Sequence, residues 1–263
     1  MNIEQIEKTV KLIDGRQTIF EFNRLDNVGF SNDQIEYIIS VIQNYMKKYA
    51  KLEICRVKDF CDDERTFYSD SNGIMYSDME TLANYFYDSK EIALNHIRVS
   101  KMPCADSEFV KNIDILTDRM CEIEKKIDAI KLQAIKNGIP YSVLKRDFSA
   151  GMFGRSCIEM FQKNDIFSHP LTDGACSIYL IRRLEFQNLI KRILIHEIGH
   201  AIADQYYILN DQGIASLFQK YTEDFEDEQE FLAECFVATE YSNNIEVAKK
   251  VRGIINKYTG VWD

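Results

Sequence analysis

From Ile181 to Tyr207 the chain runs without a proline, and its only glycine there, Gly199, lies inside His196-Glu197-Ile198-Gly199-His200. Such a run is expected to be a helix. On a helix, residues four apart stand one turn apart on the same face. Leu189, Ile193 and Ala203 share the arc of the two histidines, so that face is expected to be partly buried. Two imidazoles so placed can both reach one tetrahedral metal ion, at about 2.0–2.1 Å per nitrogen. Glu197, beside the first histidine, is placed to act on a water at the metal rather than on the metal itself. The whole chain has 4 histidines, and two of them are in this pentapeptide. The bland alternative is a buried helix whose histidines only make hydrogen bonds.

A catalytic zinc site takes three protein ligands and leaves one position open. No third histidine follows closely, so the third ligand is expected to be a carboxylate on a later helix. Glu228-Gln229-Glu230-Phe231-Leu232-Ala233-Glu234-Cys235-Phe236 supplies candidates. Glu230 and Glu234 are four apart and point the same way. Between Phe231, Ala233 and Phe236 they would be costly to bury unless a cation met them. Glu230 is expected on the zinc, with Glu234 behind a ligand histidine, holding its N–H. An acidic solvated face would account for Glu226 and Glu228 but poorly for Glu234.

The pairing of His196-Glu197-Ile198-Gly199-His200-Ala201 with Glu230-Phe231-Leu232-Ala233-Glu234-Cys235-Phe236 resembles the catalytic domain of anthrax lethal factor and the related Pro-Pro endopeptidases. The resemblance covers roughly residues 181–241 and does not extend to the first 140. It implies a zincin-like fold, Glu230 as third zinc ligand and Glu234 in support of the ligands. It also implies a supporting role for Asp204, four after His200, and an oxyanion-stabilising role for Tyr221, nine residues before Glu230. A second resemblance is to ImmA/IrrE-type regulatory peptidases. Their later helix ends in leucine-methionine-proline, whereas Val237-Ala238-Thr239-Glu240-Tyr241 stands here.

The remaining sequence sets the surroundings. A chain of 263 residues with 46% hydrophobic residues can bury a real core. A net charge of −10 argues against nucleic acid or an anionic membrane as partner and leaves a protein or peptide substrate. No run approaches a membrane span. The first residues have neither the cationic nor the apolar stretch of a secretory signal. A cytoplasmic protein is expected, or one exported without a Sec signal peptide. The 7 cysteines are scattered without a C-x-x-C pair and read as reduced thiols.

Residues 3–14 are expected to form a short helix stopped by Gly15, and 17–22 a strand. A capping box at Ser31-Asn32-Asp33-Gln34 opens a helix to Tyr49. Leu52 to Val57 reads as a strand. A second capping box, Ser77 to Glu80, opens a helix to Asp88. Asn95 to Val99 is strand or loop, with His96 structural. From Ser107 to Asn137, apolar residues recur at steps of three and four, as in a long bundle helix ended by Gly138 and Pro140. Residues 141–177 are loop-rich, His169 among them, and 175–181 read as a strand. Asn210 to Gly213 is a turn, 226–241 the glutamate helix, and 245–258 a last helix capped by Asn244.

The expected architecture is therefore α+β. A helix-rich N-terminal region (1–140) precedes a mainly helical, zincin-like metallopeptidase domain with a small sheet (141–263). The expected function is zinc-dependent endopeptidase. The alternative is a zincin scaffold that acts by binding or regulation.

Overall fold

The computed structural model describes residues 3–25, 29–59, 67–69, 75–77, 81–105, 136–138, 180–181, 184–185, 188–222, 224–243 and 245–262. These residues form a mixed α/β structure. The expected helix at 107–137, the loop region with His169, and the Asn244 cap lie almost wholly outside them.

The first element is a strand, β1 (Ile3–Lys11), where a helix was expected. Ile3, Ile6 and Val10 fit a helical period, but nine consecutive backbone pairs to β2 (Gln17–Leu25) outweigh that local pattern. The turn between them is closed by Gly15 at φ +91°, a left-handed conformation that suits glycine. β2 follows its alternating sequence and buries Phe20 and Phe22. The helix α1 (Asn32–Lys48) starts at Ser31 with both halves of the capping box formed. It buries Ile35, Ile38, Ile39, Ile42, Tyr45 and Met46.

The strand expected at 52–57 begins later, as β3 (Arg56–Asp59), parallel to β2. A short hairpin follows, β4 (Phe67–Ser69) with β5 (Met75–Ser77). The helix expected through Asp88 is not formed. In its place stand β6 (Ala83–Phe86) and β7 (Glu91–Leu94), antiparallel and joined by a tight turn with Lys90 at φ +54°. Ala83 and Tyr85 alternate inward, and aromatic residues suit a half-buried strand better than a helix. β7 lies parallel to β3, giving the sheet order β1-β2-β3-β7-β6 with β6 at an edge. Asn95 to Val99, read as strand or loop, includes a single helical turn, α2 (His96–Val99). His96 stands 3.5 Å from the buried Asp59, a structural place as expected.

Among the described residues, those up to 105 form a sheet with one long helix, α1. Leu180 and Ile181, expected in a strand, are helical. The helix α3 (Ile190–Gln205) carries the histidine motif and is buried along most of its length. A 3-10 turn (Ile208–Asn210) leads to α4 (Gln212–Phe218), capped by Asp211. The glutamate helix α5 (Glu228–Tyr241) and the last helix α6 (Glu246–Thr259) complete the described elements. No helix among the described residues is long and apolar enough to cross a membrane.

The chain divides into two compact units, the first of residues 1–106, 187–237 and 251–263, the second of 107–186 and 238–250. The sheet, α1 and α3 belong together in the first unit, where α3 packs beside edge strand β6 and against α1. The side chain of Gln205 reaches Glu53 and the Tyr85 hydroxyl. Tyr45 of α1 and Tyr49, just past its C-terminus, set their rings edge-on to Phe236 of α5. In the second unit, the described side chains of Leu180, Ile181 and Leu184 are buried.

Candidate metal centre

The site begins with a close approach of two helices. A Cβ on Gly199 would stand 3.0 Å from Ala233 Cα and 3.3 Å from Phe236 Cδ1. Glycine at this position lets α3 lie against α5 with almost no spacing. Residues 231–239 of α5 are buried throughout, more than the half-buried helix expected. Glu230 in its first turn faces α3, and the helix N-terminus is held by Asp227, which accepts from the Gln229 and Glu230 amides.

Across this contact His196, His200 and Glu230 converge. The Nε2 atoms of the two histidines are 3.1 Å apart. Glu230 Oε2 is 3.3 Å from His196 Nε2, and its Oε1 is 3.3 Å from His200 Nε2. Donors held about 2.0–2.1 Å from a tetrahedral ion stand roughly 3.3–3.4 Å from one another. The histidine–histidine separation is close to an edge of that tetrahedron, and the Glu230 carboxylate sets one of its two oxygens at a similar distance from each histidine. Two imidazole nitrogens and a carboxylate are also a donor set that suits zinc. These three residues could hold a metal ion.

The electrostatics point the same way. Glu234 Oε1 lies 2.8 Å from His196 Nδ1, at ion-pair distance although the N–H direction falls short of hydrogen-bond geometry. With a proton on Nδ1, neutral His196 presents a bare lone pair at Nε2 to a carboxylate and to the other histidine. Such a cluster needs a cation. Without a metal, His196 meets the need by holding a second proton. Burial alone would discourage that, but Glu234, Glu230 and Glu197 outweigh it and push the imidazole pKa up to about 10. Burial likewise works to raise Glu230, but the two histidines hold its carboxyl well below the ordinary value. For Glu234 burial is again outweighed, by His196 and Arg192, and its carboxyl is lowered.

Glu197 is 5% exposed, and burial pushes its carboxyl up. The side chain of Glu230 is 40% exposed, so the group is open on that side.

Of the expected site residues, the structure brings together His196, Glu197, His200, Glu230 and Glu234. Asp204 takes another place: its Oδ2 accepts from the Tyr85 hydroxyl at 3.3 Å. His200 Nδ1 is buried with no hydrogen-bond partner among the described residues. Tyr221 stacks on Phe231, ring centroids 5.9 Å apart and planes 22° apart.

Two residues were missed. Arg192, buried at 6%, donates to Glu234 Oε1. Its signal was present in the sequence, since Arg192, His196 and His200 follow at steps of four. Tyr87, just past β6, donates to Gln229, the neighbour of Glu230. Burial, then the charges of Glu197, Glu230 and Asp204, push its phenol up to about 12. No local pattern marked Tyr87, because strand pairing far from the motif brings it here.

Compared with known proteins, the chain matches no family model, no curated protein and no solved structure.

Proposed function

We propose that the chain is a zinc-dependent endopeptidase built on a zincin-like scaffold, with His196, His200 and Glu230 as the metal ligands. The observation that carries this reading is the trio of separations, 3.1, 3.3 and 3.3 Å, between the three donor groups. A buried carboxylate at 197 favours catalysis over a purely structural site, which has no use for a base beside its first ligand. When bound, zinc supplies a Lewis acid that polarises a carbonyl and acidifies water in its open position. Glu197 accepts the proton of the attacking water and passes it to the leaving amide nitrogen. Its burial raises its basicity toward that task. Glu234 holds His196 from behind. Two phenols compete to donate to the developing oxyanion: Tyr221, which the resemblance points to, and Tyr87, whose surroundings include Glu197 and Glu230. Among the described residues β6, beside α3, is an edge strand, and an extended peptide would add there as a further strand.

The test is metal content together with cleavage of a peptide library. Wild-type chain should carry one zinc and cut. His200→Ala should lose the zinc. Zinc uptake without cleavage would favour the binding or regulatory reading.

A further inference from the structure

The metal-ligand group is one end of a longer array. Arg192, His196 and His200 rise along α3 in steps of four, while Glu234 and Glu230 descend along α5 by the same step. The contacts run in order across the two helices: Arg192 to Glu234, Glu234 to His196, His196 to Glu230, Glu230 to His200. Resting on the metal reading above, we infer that Arg192 is a positioning residue for this centre: it fixes Glu234 against His196 Nδ1 and thereby aims His196 Nε2 at the metal position.

Arg192 has no ordinary reason to be inside. Its neighbours Ile190, Ile193, Leu194 and Ile195 are all buried. A guanidinium there is costly to desolvate unless a carboxylate meets it. The carboxylate that does is Glu234, itself 4% exposed. One oxygen, Glu234 Oε1, accepts from Arg192 and lies at ion-pair distance from His196 Nδ1, while Oε2 is buried with no hydrogen-bond partner among the described residues. The carboxylate is therefore turned by Arg192 so that the shared oxygen faces the histidine. Charge supports the assignment. Glu197, Glu230 and Glu234 bring three negative charges to the centre. A divalent ion with neutral histidines answers two of them, and Arg192 answers the third.

A mere tie between two helices would also place an arginine against a glutamate. The two roles separate in a double-mutant cycle on the full chain, with zinc affinity measured by competition against a chromogenic chelator. Arg192→Met should weaken zinc binding about 10–100-fold, the usual cost of losing support behind a ligand. Arg192→Lys should recover part of it. Added to Glu234→Gln, Arg192→Met should cost no more than about twofold further, because its effect acts through Glu234. The double variant leaves no unpaired charge in the core and keeps the cycle readable if Arg192→Met alone fails to fold. Undiminished zinc affinity in Arg192→Met, or a full additional loss in the double variant, would overturn the inference while leaving the metal reading intact. A wild-type chain that takes up no zinc, or a His200→Ala variant that keeps it, would overturn both.

Discussion

His196 faces two carboxylates and a second imidazole, and its protonation makes the metal-free site pH-sensitive. Its pKa rises from an ordinary 6.5 to about 10, burial opposing the charged form and Glu234, Glu230 and Glu197 favouring it. A raised pKa means that protons favour the folded state. The stabilisation is complete below 6.5 and is lost as pH climbs toward 10. Thermal melts of metal-free protein should therefore show the midpoint falling across that window. Zinc needs the same nitrogen unprotonated, so zinc affinity should rise with pH over the window and binding should release a proton. A pH-independent affinity in calorimetry would count against His196 as a ligand. On the proposed mechanism, Glu197→Gln keeps size and hydrogen bonding but removes the general base. Cleavage should drop at least about 10²–10⁴-fold with zinc retained. For the oxyanion, Tyr87→Phe and Tyr221→Phe compared side by side assign the donor. Loss of one such donor typically costs about 10²–10³ in kcat, and Tyr87→Phe should show the larger fall.

The two helices that carry the site were readable because their information is local. The four-residue spacing of His196 and His200, and of Glu230 and Glu234, needs no knowledge of the rest of the chain. The same holds for the capping box that starts α1. The strands were less readable. Ile3, Ile6 and Val10 satisfy a helical period as well as a strand, and only pairing with β2 decides. At Ser77 to Glu80 a cap-like pattern precedes Ala83–Phe86, whose conformation is set by pairing with β7. Tyr87 was illegible for the same reason. Gly199 shows the opposite case, a residue inside the motif whose role is packing between elements. Gly199→Ala gains helix propensity, about 1 kcal/mol. It also pushes a methyl to 3.0 Å from a backbone carbon of α5. Overpacking of a rigid contact costs roughly 1–3 kcal/mol, and both helices are buried here, so the clash should win. Denaturant melts should show a net loss, and zinc affinity should fall as Glu230 and Glu234 are moved off the histidines. A variant more stable than wild type would show that the helices can separate without strain.

At the scale of the molecule, the site depends on chain far from it in sequence. The unit that contains α3 and most of α5 also contains residues 1–106, and the segments 187–237 and 251–263 are its only other parts. Its core joins Phe236 of α5 to Tyr45 of α1, to Tyr49 just past that helix, and to Trp262. Tyr206 lies edge-on to Tyr49, and its hydroxyl accepts from the Lys51 amide. α3 is held along its far end by Glu53 and Tyr85 through Gln205. Removing residues 1–140 would strip away Tyr45, Tyr49, Glu53 and Tyr85, with β6 and α1 beside α3, and would uncover apolar side chains such as Phe236, now 0% exposed. Complete exposure of a large apolar side chain costs about 1.5–3 kcal/mol. A few such losses equal the whole stability of a typical domain, about 5–15 kcal/mol. A fragment of residues 141–263 should therefore lack cooperative unfolding by circular dichroism and should bind zinc far more weakly than the full chain. Adding residues 1–106 in trans should restore some zinc binding, since the missing contacts are supplied by that segment. A fragment that folds by itself and takes up zinc like the full chain would show that the C-terminal half is an autonomous domain and that the sheet is not needed to form the site.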